Sequence, residues 1–156
     1  MSASQAAPIE RAPEPSVLLF PAAMLLSGFG TVFLGPVLPS LAASSHATDS
    51  GSGLFFTAQF IGAFFGGITT SQRLFFCLIR GLFAATTGFL LLALFSGLSM
   101  GVLWDAAALV PLGFGVGQML TSVNLLAAQR FQRQRSSALS LINFTWSLGA
   151  VAAPFL

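Results

Sequence analysis

The residues that bear on chemistry in this 156-residue chain are amides, small hydroxyls and an indole, set at helical spacing in apolar surroundings. Gln59, Gly62 and Gly66 follow i, i+3, i+7 spacing and share one helix face. Gly117, Thr121 and Asn124 do likewise with Gln118 beside them, and Ser136, Ser140, Asn143 and Ser147 form a third stripe, with Trp146 three residues after Asn143. Three faces that each pair small residues with an amide suit a shared polar cavity. There the amides hydrogen-bond a hydroxylated or otherwise polar solute while the Trp146 ring stacks on its apolar side. The same residues also suit adhesion, because Ser, Thr, Asn and Gln bond across packed helices and small-xxx-small spacing such as Gly62 to Gly66 lets backbones approach.

Other chemistries lack their residues. One His and one Cys leave no set of metal ligands, and Cys77 reads as an inert apolar thiol. No nucleophile has a partnered base, so the chain reads as no enzyme and with no cofactor. The run Gly113-Phe114-Gly115-Val116-Gly117 partly mimics a dinucleotide fingerprint, but that motif needs a preceding strand, and here the glycines lie in an apolar helix. A net charge of +2 comes from six Arg against four acids, which is too little to imply a nucleic-acid partner.

The elements that must carry these faces follow from where charge is missing. Only 6% of residues are charged, against roughly 25% in soluble domains. Five windows, 15–45, 50–72, 81–104, 106–129 and 136–156, contain no Asp, Glu, Lys, Arg or His. About 20 apolar residues cross a core of roughly 30 Å, so the windows predict five transmembrane helices, at about 17–42, 53–71, 82–96, 103–128 and 137–156. Residues 1–16, with Pro8, Pro13 and Pro15, read as a disordered tail. The expected connectors are a polar loop at 44–52 with His46 and Asp49, a segment at 72–81 flanked by Arg73 and Arg80, a Gly/Ser turn at 97–101, and a basic loop at 130–135. Assigning loops alternately to the two sides places Arg11, Arg73, Arg80, Arg130, Arg133 and Arg135 together, with Asp49 and Asp105 opposite. The positive-inside rule then predicts a cytoplasmic N-terminus, and the expected location is the plasma (cell inner) membrane.

At this point the residues resemble a known family. Gly35-Pro36-Val37-Leu38-Pro39 in helix 1, Phe56-Thr57-Ala58-Gln59-Phe60-Ile61-Gly62 in helix 2, and the helix 4 glycines with Thr121-Ser122-Val123-Asn124 are its first carriers. Ala138-Leu139-Ser140-Leu141-Ile142-Asn143, then Gly149-Ala150 and Pro154, complete it in helix 5. In order and spacing, residues 18–156 are similar to the N-terminal half of a major facilitator superfamily (MFS) transporter, nearest the sugar-transporting branch with the fucose:proton symporters. The resemblance implies an all-α polytopic membrane protein whose five helices form an incomplete six-helix half of that fold. It also implies a solute site at the midplane between two halves that rock for alternating access.

On this resemblance Gln59, Gln118, Thr121, Asn124, Asn143 and Trp146 are the candidate substrate-binding residues, and Gly66, Gly67, Arg73 and Arg80 the candidate gating loop. Helix 3, with only Thr86, Thr87 and Ser96 as polar members of its face, would sit outside the cavity. The family's gating motif carries an Asp where this chain has Thr70 or Ser71, and its fucose branch a Glu where this chain has Leu120. With no acid in helix 1 either, a facilitator, or coupling through the other half, is expected. The expected partners are the lipid bilayer, a small polar solute such as a sugar, and a missing C-terminal half or partner subunit. The alternative is a non-transporting membrane assembly or scaffold protein whose polar residues only hold helices together.

Overall fold

The computed structural model describes residues 18–155, and within them every regular element is helical. The tail at 1–16, with Arg11, Glu10 and Glu14, lies outside the described residues. The helices are α1 (Leu19–Val32), α2 (Leu34–Ser44), α3 (Asp49–Ile68), α4 (Leu74–Gly97), α5 (Val102–Arg130) and α6 (Arg135–Ala152), with single 3-10 turns at Gln132–Gln134 and Ala153–Phe155. Four spans, Asp49–Ile68, Leu74–Gly97, Val102–Arg130 and Gln132–Phe155, are each long and apolar enough to cross a membrane. α1 and α2 make a fifth if counted as one span bent by 46°.

α5 is the axis of the bundle. Of its most apolar stretch 67% is buried inside the protein, against 28% for α3 and α4 and 17% for the last span. α3 and α4 pack along two sides of α5, α1 covers a third, and α6 rests mainly on α1. Facing residues give the directions: Gly62 and Gly66 meet Val110 and Phe114, so α3 runs parallel to α5, while Gly81 and Gly88 meet Gly115 and Leu112, so α4 runs antiparallel. The core between them is apolar, with Met24, Leu34, Phe55, Leu109, Leu112 and Val123 buried.

Several boundaries differ from the sequence expectation, each for a local reason. The connector expected at 72–81 is helical from Leu74, because the buried stripe Leu74, Cys77, Leu78, Gly81, Ala85, Gly88 and Leu92 keeps helical spacing straight past Arg80. Arg80 therefore sits on a helix and not in a loop. The loop expected at 44–52 shrinks because the Thr48 hydroxyl accepts from the Gly51 N–H at 3.3 Å and caps α3 at Asp49. α3 stops at Ile68, short of the expected 71, where the Thr69 and Thr70 hydroxyls donate to the carbonyls of Phe65 and Gly66 at 2.7 and 3.2 Å. The last helix starts two residues early at Arg135 and gives way to a 3-10 turn around Pro154.

The expected first helix is broken at Phe33. Pro36 occupies the first turn of α2, where proline is tolerated, but it has no N–H to offer the preceding turn. Ser27 and Thr31 bend the same stretch by donating back to Ala23 and Ser27 carbonyls, each at 2.7 Å. Gln59 of α3 repairs the break: its Nε2 donates to the Gly30 carbonyl at 2.9 Å and to that of Thr31 at 3.4 Å. Replacing it by Leu leaves buried acceptors without that donor, and the expected loss is about 1–3 kcal/mol. Thermal unfolding of Gln59→Leu in detergent checks this, and an unchanged melting temperature would show that the break closes without the amide.

Candidate functional site

Two of the three small-residue faces are helix-to-helix contacts. Gly62 and Gly66 of α3 lie against the backbone of Val110 and Phe114, and Gly113 and Gly117 of α5 against the carbonyls of Gln59 and Ala63. Gly115 points the other way, onto Gly81 and Ala85 of α4. The alternation Gly113, Gly115, Gly117 thus serves two interfaces at once, since α5 is sandwiched between α3 and α4. α1 and α6 repeat the device, with Gly28 against the Trp146 carbonyl and Gly149 against that of Leu25.

The expected solute-binding residues divide by what their polar atoms already do. Gln59 is buried with its amide nitrogen on α1. Thr121, opposite Gly67, donates to the Gly117 carbonyl at 2.9 Å, and Asn124 donates to that of Leu120 at 2.8 Å, both within α5. Gln118 is fully buried and accepts from Arg80 Nε at 2.9 Å. Asn143 differs: it is exposed, its amide makes no hydrogen bond among the described residues, and Ser136, Ser140 and Ser147 of its stripe are exposed too. Next to it, Trp146 is half-buried and its Nε1 is enclosed without an acceptor.

These six residues do not converge on one enclosed volume. α3 and α6 share no extended interface, so Gln59 and Asn143 are kept apart. A cavity of about 360 Å³ does open between the starts of α1 and α6, but its walls are Phe20, Pro21, Phe131, Ser137, Leu141, Ile142 and their neighbours, and none of the six. The structure thus leaves the α6 stripe as an open polar face.

Of the expected gating residues, Gly66 packs on Phe114 and Gly67 faces Thr121. Arg73 is the residue before the first turn of α4 and is exposed, with no carboxylate near it among the described residues. Arg80 reaches across to α5, where it bonds Gln118 and stands 5.4 Å from the ring centre of Phe114. The sequence carries the signal that Arg80 lies on a helix, since the apolar stripe of α4 continues past it, but not the signal for its partner on α5.

Asp105 is the other departure. The expectation placed it with Asp49 on the side opposite the arginines. It does lie in the first turn of α5, but it is fully buried and both carboxyl oxygens lack a hydrogen-bond partner. Ser45 stands beside it but gives its proton to the Leu41 carbonyl at 2.6 Å. A buried, unpaired charge is costly, so Asp105→Asn, which keeps the shape and removes the charge, is expected to add about 1–3 kcal/mol of stability. A melting temperature that falls instead would show that the carboxylate is held by a favourable contact.

Scans against protein-family models, curated proteins and solved structures each returned no match.

Proposed function

We propose that this chain moves a polar small molecule, such as a sugar, across a membrane by alternating access, as the five-helix part of an MFS-type transporter completed by a second half or partner subunit. The observation that carries this reading is the open stripe on α6. Asn143 with Ser140 and Ser147 is exposed on a span apolar enough to cross a membrane, and a free amide facing lipid is costly. A polar pathway between two halves removes that cost, and Trp146 beside Asn143 brings a ring to stack on the solute.

The charges fit a defined orientation. The starts of α4 and α6 and the end of α5 lie at one end of the bundle, which gathers Arg73, Arg80, Arg130, Arg133 and Arg135, while Asp49 and Asp105 lie at the other. In this reading the arginine end faces the cytoplasm. With no carboxylate on the α6 face, proton coupling would reside in the second half, or the protein is a facilitator.

A second reading has its own observation. The donors of Gln59, Thr121 and Asn124 are all engaged within the bundle, as they would be in a non-transporting assembly or scaffold protein. The two readings separate on Asn143→Ala in proteoliposomes offered labelled hexoses. Loss of uptake with an unchanged melting temperature supports transport, whereas unchanged uptake with weakened assembly supports the scaffold.

A further inference from the structure

The clue is an arginine on an exposed face of its helix whose partners on α5 are both uncharged. This inference rests on α4 crossing a membrane and is independent of what, if anything, the chain transports. Leu74 opens α4 and Arg80 lies six residues on, about 9 Å along the axis at 1.5 Å per residue. Its helix face is apolar and uncovered: Phe76, one turn nearer the start, is 62% exposed, and Phe83, one turn deeper, is 70% exposed. In a bilayer both rings look into lipid, and so does the charge between them. A cation at that depth needs a counter-charge. The carboxylates among the described residues, Asp49 and Asp105, stand in the first turns of α3 and α5 at the far end of the bundle. Nor is the side chain free to extend into water. Its Nε is held by Gln118 Oε1 at 2.9 Å and its guanidinium lies over the Phe114 ring, while the two terminal amino groups have no partner among the described residues.

We propose that Arg80, steadied by Gln118 and Phe114, holds the phosphate of a membrane lipid headgroup. A planar guanidinium with two free amino groups matches two phosphate oxygens, a fit that the point charge of a lysine does not reproduce. The site faces outward from the bundle, where lipid is the phosphate source at hand. Arg73, seven residues earlier, falls on the same face and offers a second positive charge nearer the headgroup layer. Gln118 is thereby a positioning residue for a lipid contact and stands apart from the α6 face.

Native mass spectrometry of the purified chain tests this. The probes are phosphatidylglycerol, digalactosyldiacylglycerol as a phosphate-free comparator, and inorganic phosphate as a soluble competitor. The chain is expected to retain phosphatidylglycerol about tenfold more tightly than the glycolipid, and Arg80→Gln to lose that preference, the size of one charge-assisted contact. Arg80→Lys keeps part of it, and Arg133→Gln in the basic turn leaves it unchanged. With Arg80 intact, Gln118→Leu is expected to weaken retention about threefold by freeing the guanidinium. The proposal is overturned if Arg80→Gln retains phosphatidylglycerol as the parent chain does, or if both lipids bind alike. It is also overturned if inorganic phosphate displaces the lipid, which would mark a site for a soluble anion. Failure of the membrane reading shows separately, as a chain that alkaline carbonate strips from vesicles.

Discussion

Gly117→Val is expected to part α3 from α5 and abolish the folded bundle, while Gly53→Ala on the same α3 leaves it intact. The difference is set by what a side chain meets. A Cβ at Gly117 runs into the Ala63 carbonyl, which is backbone and cannot rotate away, whereas at Gly53 nothing stands within 4 Å. Inserting the branched side chain forces the helices apart along an interface that also carries Gly62, Gly66 and Gly113, and the expected loss is on the order of 4 kcal/mol. Gly53→Ala gains about 0.5–1 kcal/mol, because alanine is the better helix former. Gly67→Ala falls between, since its new methyl meets the Thr121 hydroxyl at 3.4 Å, a contact a side chain can relieve. The measurement is the fraction of monodisperse protein in detergent as temperature rises. A Gly117→Val chain melting with the parent would mean that the α3–α5 contact does not hold the bundle.

That ranking also explains how far the sequence could be read. The spans were legible because lipid excludes charge, and charge-free windows are visible without structure. The same logic fails at Arg80, where a lone charge predicts a connector over 72–81 and the structure has helix from Leu74. A charged group two turns inside a span is tolerated when a neighbour such as Gln118 bonds it, and that neighbour lies 38 residues away in sequence. The break at Phe33 was hidden for a similar reason. Proline and glycine are compatible with both straight and kinked membrane helices, and the choice is made by the Gln59 amide arriving from α3. At the candidate site, spacing identified each polar face but not what it meets. Small residues beside an amide describe a tight helix contact as well as a cavity wall, and only the packing order around α5 separates the faces of α3 and α5 from the open stripe of α6.

Because that stripe is what remains, the decisive substitutions lie on it. Asn143→Ala, in proteoliposomes holding the chain with its second half, is expected to lower hexose uptake about tenfold for each hydrogen bond lost to the solute. It should leave the melting temperature alone, as the Asn143 amide makes no hydrogen bond among the described residues. Trp146→Phe divides the indole's two contributions. The ring remains for stacking, but the enclosed Nε1–H, which has no acceptor in the bundle, is removed. Because that N–H is enclosed it does not reach a solute on the open face, so Trp146→Phe, which keeps a ring for stacking, is expected to preserve uptake, whereas Trp146→Ala, which removes the ring, loses it. The backbone contact with Gly28 is untouched, but the ring also packs on the core, so the melting temperature is read beside uptake to separate a packing loss from a lost solute contact. Under the scaffold reading the order reverses: uptake is indifferent to all three variants, and Asn143→Ala instead weakens association with whichever helix covers α6. A tenfold fall in uptake at constant melting temperature thus belongs to transport alone.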